Sequence, residues 1–249
     1  MRVPEPDSDG QLFRLPAWIP GSYLIRDFAR NVVSARASCD GVAVEVGRVD
    51  KSSWLVGACS GPLEFVMEIY ALELNVRGAH FDHSHAYFNG PVVFPAVVGQ
   101  EDRPCEIDIQ PPVNGIGQNW RVATAMRTHA AERFGYGTYQ ADDYWELIDH
   151  PVEIGEFVIG EFEVNGIPHS IVVRGHDRFD MARLCRDLTK VCTQHHTLLG
   201  APESLDRYVF LLTALEQGYG GLEHRWSSSN ICSREDLPRN GETGVSAGY

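Results

Sequence analysis

The residues best suited to grip a ligand lie late in the chain, in Glu216-Gln-Gly-Tyr-Gly-Gly-Leu-Glu-His224. A carboxylate at Glu223 could neutralise an ammonium drawn out of water, and the glycines before it would let an extended peptide backbone approach closely, because they carry no Cβ. Glu223, with Gly220 and Gly221 before it and Leu222 and His224 beside it, is therefore a stretch to test for ligand binding. His224 could contact the ligand or orient Glu223, and Ser227, Ser228, Ser229 and Asn230 offer hydroxyl and amide groups alongside. Taken alone, the stretch reads first as a Gly-Gly turn followed by an exposed acid, with a polar turn after it.

A second cluster, His80-Phe-Asp-His83-Ser-His85, imitates a metal site. In an extended segment His83 and His85 share a face, and with His80 or Asp82 they could offer three N/O ligands to zinc. The competing reading is a solvated His-rich loop running on through Ala86-Tyr-Phe-Asn-Gly90, and no metal is assigned to this chain. Asp142, Asp143, Glu146 and Asp149 could hold a cation but read first as a solvated charge run. His195 and His196 are adjacent on a helical pattern and diverge by about 100°, so they cannot chelate one ion; His195 is expected to face the core and His196 the solvent. Cys185 and Cys192 fall on an apolar stripe as small core residues. No residue is assigned a catalytic role.

A formal charge of −13 over 249 residues repels phosphate backbones and anionic membranes, and favours cationic or free-amine ligands. The six cysteines are scattered, with no C-x-x-C pair, and reduced thiols are expected. The polar opening Met1 to Gly10 is unlike a signal peptide and no apolar run is long enough to span a bilayer, so the expected location is cytoplasmic.

From Arg14 to about Trp120 the pattern is short strands punctuated by turns. In Leu63 to Glu73, Leu63, Phe65, Met67, Ile69 and Ala71 alternate onto one face. Cys39-Asp40-Gly41 and Asn165-Gly166 signal hairpins, the second joining Phe157–Val164 to Ile167–Arg174. Trp18, Tyr23 and Phe28 are expected to enter the β core around a Pro20-Gly21 corner. Phe134 to Pro151 reads as mostly loop with a short helix at Tyr144 to Ile148. Met181, Leu184, Cys185, Leu188, Val191, Cys192 and His195 follow helical spacing, with Asp180 as N-cap and Gly200 just past the end. Tyr208 to Leu215 fits a strand covered on both faces, with a helix left open. The fold class is mainly β with an α+β C-terminal segment, divided into a β domain over 1–174 and a second unit over 175–249.

Pro16-Ala-Trp-Ile-Pro-Gly-Ser-Tyr-Leu-Ile-Arg-Asp-Phe-Ala-Arg-Asn31 resembles the opening signature of the glycyl aminopeptidase family of zinc metallopeptidases. Asn89-Gly90, Asp143-Tyr-Trp-Glu-Leu-Ile-Asp-His-Pro-Val-Glu-Ile-Gly155, Asp206-Arg-Tyr-Val-Phe-Leu-Leu212, Gly218-Tyr-Gly-Gly-Leu-Glu-His224, Ser227-Ser-Ser-Asn230 and Arg234-Glu-Asp-Leu-Pro238 are similar to further landmarks in order. The resemblance implies a β-sandwich-like N-terminal domain, the start of a thermolysin-like catalytic domain and, in intact members, a zinc ion and a PDZ domain. It places Gly220, Leu222, Glu223 and His224 on a Gly-x-Met-Glu-Asn strand whose backbone pairs with substrate and whose Glu binds the free α-amino group. The zinc helix H-E-x-x-H occurs nowhere in the chain, and the resemblance would place it after Tyr249. The implied function is the substrate-anchoring front portion of a zinc aminopeptidase, acting on peptides with a free N-terminus and inactive alone. The alternatives are a non-catalytic β-rich module that binds peptide or protein by strand addition, and a small metal protein built on the His loop.

Overall fold

A computed structural model describes residues 1–113, 115–176, 178–200, 202 and 204–239. The fold is mainly β. Two four-stranded sheets open it: Arg2–Val3, Leu63–Ile69, Val32–Cys39 and Val42–Val44 form one, and Ala96–Val97, Gln11–Arg14, Ser53–Val56 and Val46–Arg48 the other. Period-two alternation turns Leu63 and Phe65 inward, where they share a core with Phe13, Leu15, Trp54 and Val56. The Phe13 and Phe65 rings stack at 4.1 Å.

The Asp40-Gly41 turn forms as its chemistry dictates, with φ of 48° and 80° at the two residues. Beside it the expectation of reduced thiols fails, because Cys39 and Cys59 are disulfide-bonded with Cα atoms 5.8 Å apart. Cys39 pairs in register with Leu63, which returns the loop carrying Cys59 to the hairpin end. That pairing is invisible in the linear spacing.

A three-stranded sheet (Cys105–Ile109, Gly137–Ala141, Arg127–Thr128) and a four-stranded one (Arg121–Ala123, Val152–Gly155, His85–Phe88, Ala79–Phe81) follow. Gly137–Ala141, and residues 86–88 of the strand His85–Phe88, fall where the sequence reads as loop. Each gains its order from distant partners, Cys105–Ile109 for the first and Val152–Gly155 for the second. The short helix Tyr144–Ile148 forms as expected, capped by Asp143, which accepts from Glu146 N at 2.7 Å.

The last sheet has the order Val158–Val164, Ile167–Arg174, Tyr208–Leu215, Ser227–Ser233, Gly220–Glu223. Its three central strands are parallel, and helix Met181–Leu199 makes the crossover that parallel pairing requires. The sheet takes strands from both sides of the expected boundary at residue 174, because Ile167–Arg174 pairs directly with Tyr208–Leu215. One face carries Val172, Val209 and Leu211 onto Tyr87, Ala123, Ala125 and Phe157. The other face, with Ile171 and Val173, lies under Leu184, Cys185 and Leu188 of the helix.

Asp180 caps that helix by accepting from Arg183 N at 2.8 Å. Its histidines are reversed from expectation: His195 is exposed, whereas His196 is half-buried with its ring 6.3 Å from His169. The buried stripe advances from Cys192 by four residues, not three. Of the three aromatics at the Pro20-Gly21 corner only Phe28 enters the core, while Trp18 is partly exposed and Tyr23 fully so. Among the described residues no helix is long and apolar enough to cross a membrane.

Candidate functional site

Gly220–Glu223 is the edge strand of the last sheet, joined to Ser227–Ser233 by a tight hairpin. His224 N donates to Ser227 O at 2.8 Å across the turn, so inward hydrogen bonding recurs at Leu222 and Gly220. The backbone groups of Gly221 and Glu223 therefore point away from Ser227–Ser233. There two connecting segments meet them: Arg77 Nη2 donates to Gly221 O at 3.2 Å, and Gly21 packs against Glu223 O. Gly21 has φ 78°, and a Cβ there would fall 2.7 Å from that carbonyl oxygen, so only glycine fits.

Side chains alternate along the same strand. Leu222 is fully buried against Ile19, Phe28, Val76, Ala79 and Val92. Glu223 is exposed on the opposite face, in register with Ser228, whose Oγ accepts from Asn230 Nδ2 at 2.9 Å. Ser227 and Ser229 face the other way, and Ser229 Oγ accepts from Tyr87 OH at 2.9 Å.

His224 is turned inward and buried. Its Nδ1 lies 2.8 Å from Asp149 Oδ1, and Asn89 Nδ2 lies 3.3 Å from its Nε2. With the amide nitrogen facing it, Nε2 accepts and Nδ1–H donates to the carboxylate. Asp149 Oδ2 also accepts from Arg225 N at 3.1 Å, and Asn89 Nδ2 reaches Val76 O at 3.2 Å. His224 thus ties the hairpin to the end of helix Tyr144–Ile148, and of the candidate binding residues only Glu223 presents an ionisable side chain to solvent.

The acidic group is consumed internally. Asp142 pairs with Arg127, Asp143 caps its helix, Glu146 lies 3.6 Å from His150 and from Arg127, and Asp149 serves His224. These residues border a cleft of about 580 Å³ that Trp145, Arg207 and Arg225 also line.

The histidine cluster is built differently from its sequence reading. His83 is exposed, while His80 and His85 are buried on either side of the turn and converge with Asp82. His80 Nε2 is 3.3 Å from Asp82 Oδ2, His85 Nδ1 is 3.6 Å from Asp82 Oδ1, and the two rings stack at 4.6 Å. Both ring nitrogens of His80 and Nε2 of His85 are buried without a hydrogen-bond partner. Burial, aided by Arg174 and His80 and opposed by Asp82, pushes His85 down to about 3. Burial works against the Asp82 carboxylate, but hydrogen bonds from Ser84 and His85 outweigh it and hold it below the usual carboxylate range. Nearby, Glu153 faces Arg174 Nε at 3.1 Å; burial pushes the carboxyl up to about 8 against the pull of that guanidinium.

Residues 1–156 match the family model described as the Peptidase M61 N-terminal domain. No curated protein matches the chain. Among solved structures, it is similar to an aminopeptidase N family protein from Idiomarina loihiensis, with 34% identity and a TM-score of 0.94 over 99% of this chain and 41% of that one. A mutant M1 zinc metallopeptidase from Deinococcus radiodurans is 12% identical with a TM-score of 0.49, over 93% of this chain and 55% of that one. The chain spans less than two thirds of the length of either structure.

Proposed function

The chain belongs to the peptidase M61 family through its N-terminal domain, and from that premise we propose that it is the substrate-anchoring portion of a zinc-dependent aminopeptidase of the glycyl aminopeptidase type. The observation that carries this reading is Glu223, an exposed carboxylate at the end of the last sheet's edge strand. A peptide whose N-terminus reaches the exposed face of that strand would bring its terminal ammonium to the carboxylate. Residues 175–249 would then open the catalytic unit.

The zinc of such enzymes does not fit the residues at this edge. The sequence has no H-E-x-x-H, and the nearby imidazole of His224 is committed to Asp149 and Asn89. No hydrolytic step is assigned to this chain, and peptide cleavage by these 249 residues alone is not expected. An ion pair at an exposed carboxylate contributes only about 0.2–1 kcal/mol, so anchoring by Glu223 is weak unless further polypeptide excludes water from it.

Calorimetric titration with a glycine-initiated peptide and its N-acetylated twin tests the reading. The free-amine peptide should bind about two- to fivefold more tightly, and Glu223→Gln should erase that difference. Equal binding of both peptides, unchanged by the substitution, would instead favour a strand-addition module without amine recognition.

A further inference from the structure

We infer that His80, Asp82 and His85 form a divalent transition-metal site within the N-terminal β region, distinct from the edge at Glu223. Two imidazoles and a carboxylate are a donor set suited to zinc and its neighbours, and mismatched to magnesium or calcium, which prefer all-oxygen shells. The ligand atoms all lie within 4.8 Å of one another. The His80–Asp82 and His85–Asp82 separations of 3.3 and 3.6 Å are close to the roughly 3.3–3.5 Å between ligands that bonds of about 2.0–2.1 Å impose around a tetrahedral ion. A fourth position is left for water.

The stronger argument is the state of the two rings. His80 and His85 are 7% and 2% exposed, and their nitrogens have partners to find. An unsatisfied buried polar group costs about 1–3 kcal/mol, so leaving three such atoms in one place is an expensive arrangement unless something occupies it. Coordination through one nitrogen of each ring would remove part of that cost.

The surroundings are built close around the rings. Gly155 lies opposite His85 in the sheet, and a Cβ on it would meet His85 Cβ at 3.1 Å and Glu153 Oε1 at 3.8 Å. Arg174 is a nearby cation that opposes a metal, and Glu153 offsets it at 3.1 Å. Ser84 Oγ donates to Asp82 Oδ1 at 2.6 Å and sits 3.0 Å from His85 Nδ1. Metal entry requires that hydroxyl to swing aside, a single χ1 rotation for an exposed serine.

The 249-residue chain, stripped by chelator and desalted, should take up one equivalent of Co²⁺ with visible ligand-field bands that Zn²⁺ displaces and Mg²⁺ does not. Asp82→Asn, and His80→Gln combined with His85→Gln, should each weaken binding at least about tenfold. His83→Ala, and His195→Ala with His196→Ala, should leave it unchanged. Circular dichroism identifies the folded variants; if the double substitution does not fold, Asp82→Asn at the half-exposed turn carries the test. A folded wild-type chain that binds no Co²⁺ stoichiometrically, or folded variants at positions 80, 82 or 85 that bind as tightly as wild type, would overturn the inference.

Discussion

Two buried histidine centres flank strand His85–Phe88, one holding His85 at its start and the other holding Asn89 just past its end against His224, and they are finished to different degrees. Around His224 each ring nitrogen has a protein partner, Asp149 on one side and Asn89 on the other, and the result joins two elements rigidly. Around His80 and His85 the rings are as deeply buried, yet three of their nitrogens lack a hydrogen bond, His80 Nε2 having only a 3.3 Å approach to Asp82 Oδ2. Burial alone therefore does not separate a structural histidine from a binding one. The hydrogen-bond ledger of the ring does.

The largest effect that would break this contrast is expected at Asp149. Asp149→Ala removes the acceptor of both His224 and Arg225 N, leaves a buried imidazole unpaired, and should cost about 2–3 kcal/mol in urea unfolding. A loss below about 0.5 kcal/mol would mean that His224 is no more satisfied than its counterparts.

His150 is an intermediate case, with both ring nitrogens lacking hydrogen bonds but the Glu146 carboxylate 3.6 Å away. That contact with His150, opposed by burial and helped by Asp142 N–H and Arg127, pulls Glu146 down to about 2 from its ordinary 4.5. A carboxyl lowered on folding stabilises the native state above its unfolded value and loses that contribution as protons are forced on. Stability should thus fall between about pH 4.5 and 2, and Glu146→Gln should flatten that fall in denaturation midpoints measured across the window. An unchanged slope would show that Glu146 leaves His150 unassisted.

The smallest effect is expected at the unfinished centre. With chelator present, His85→Leu should change stability by less than about 1 kcal/mol, because it replaces a ring that lacks a partner at Nε2 with an apolar group of similar bulk. A loss as large as that of Asp149→Ala would erase the difference between the two centres.

Local chemistry was legible where it is local. The Asn165-Gly166 turn has the positive φ of 51° and 80° that its residue types favour, and the capping of helix Met181–Leu199 follows from Asp180. Leu222 and Glu223 alternate as a strand must. What escaped depends on contacts across long separations. His224 reads as a surface ligand group until Asp149, 75 residues earlier, is brought against it. His80, Asp82 and His85 converge because strands Ala79–Phe81 and His85–Phe88 pair across a tight turn, which the loop reading of residues 86–90 concealed. Cys39 and Cys59 are joined only once Cys39 lies beside Leu63.

The family match ends at residue 156, but the apolar cluster under the last sheet does not respect that limit. Tyr87, Ala123 and Ala125 come from before it, and Phe157, Val172, Val209 and Leu211 from after it. Dissecting the gene at that point would strip the cover from both halves, leaving each with a sticky, aggregation-prone surface. Residues on either side of position 156 thus share one buried apolar cluster.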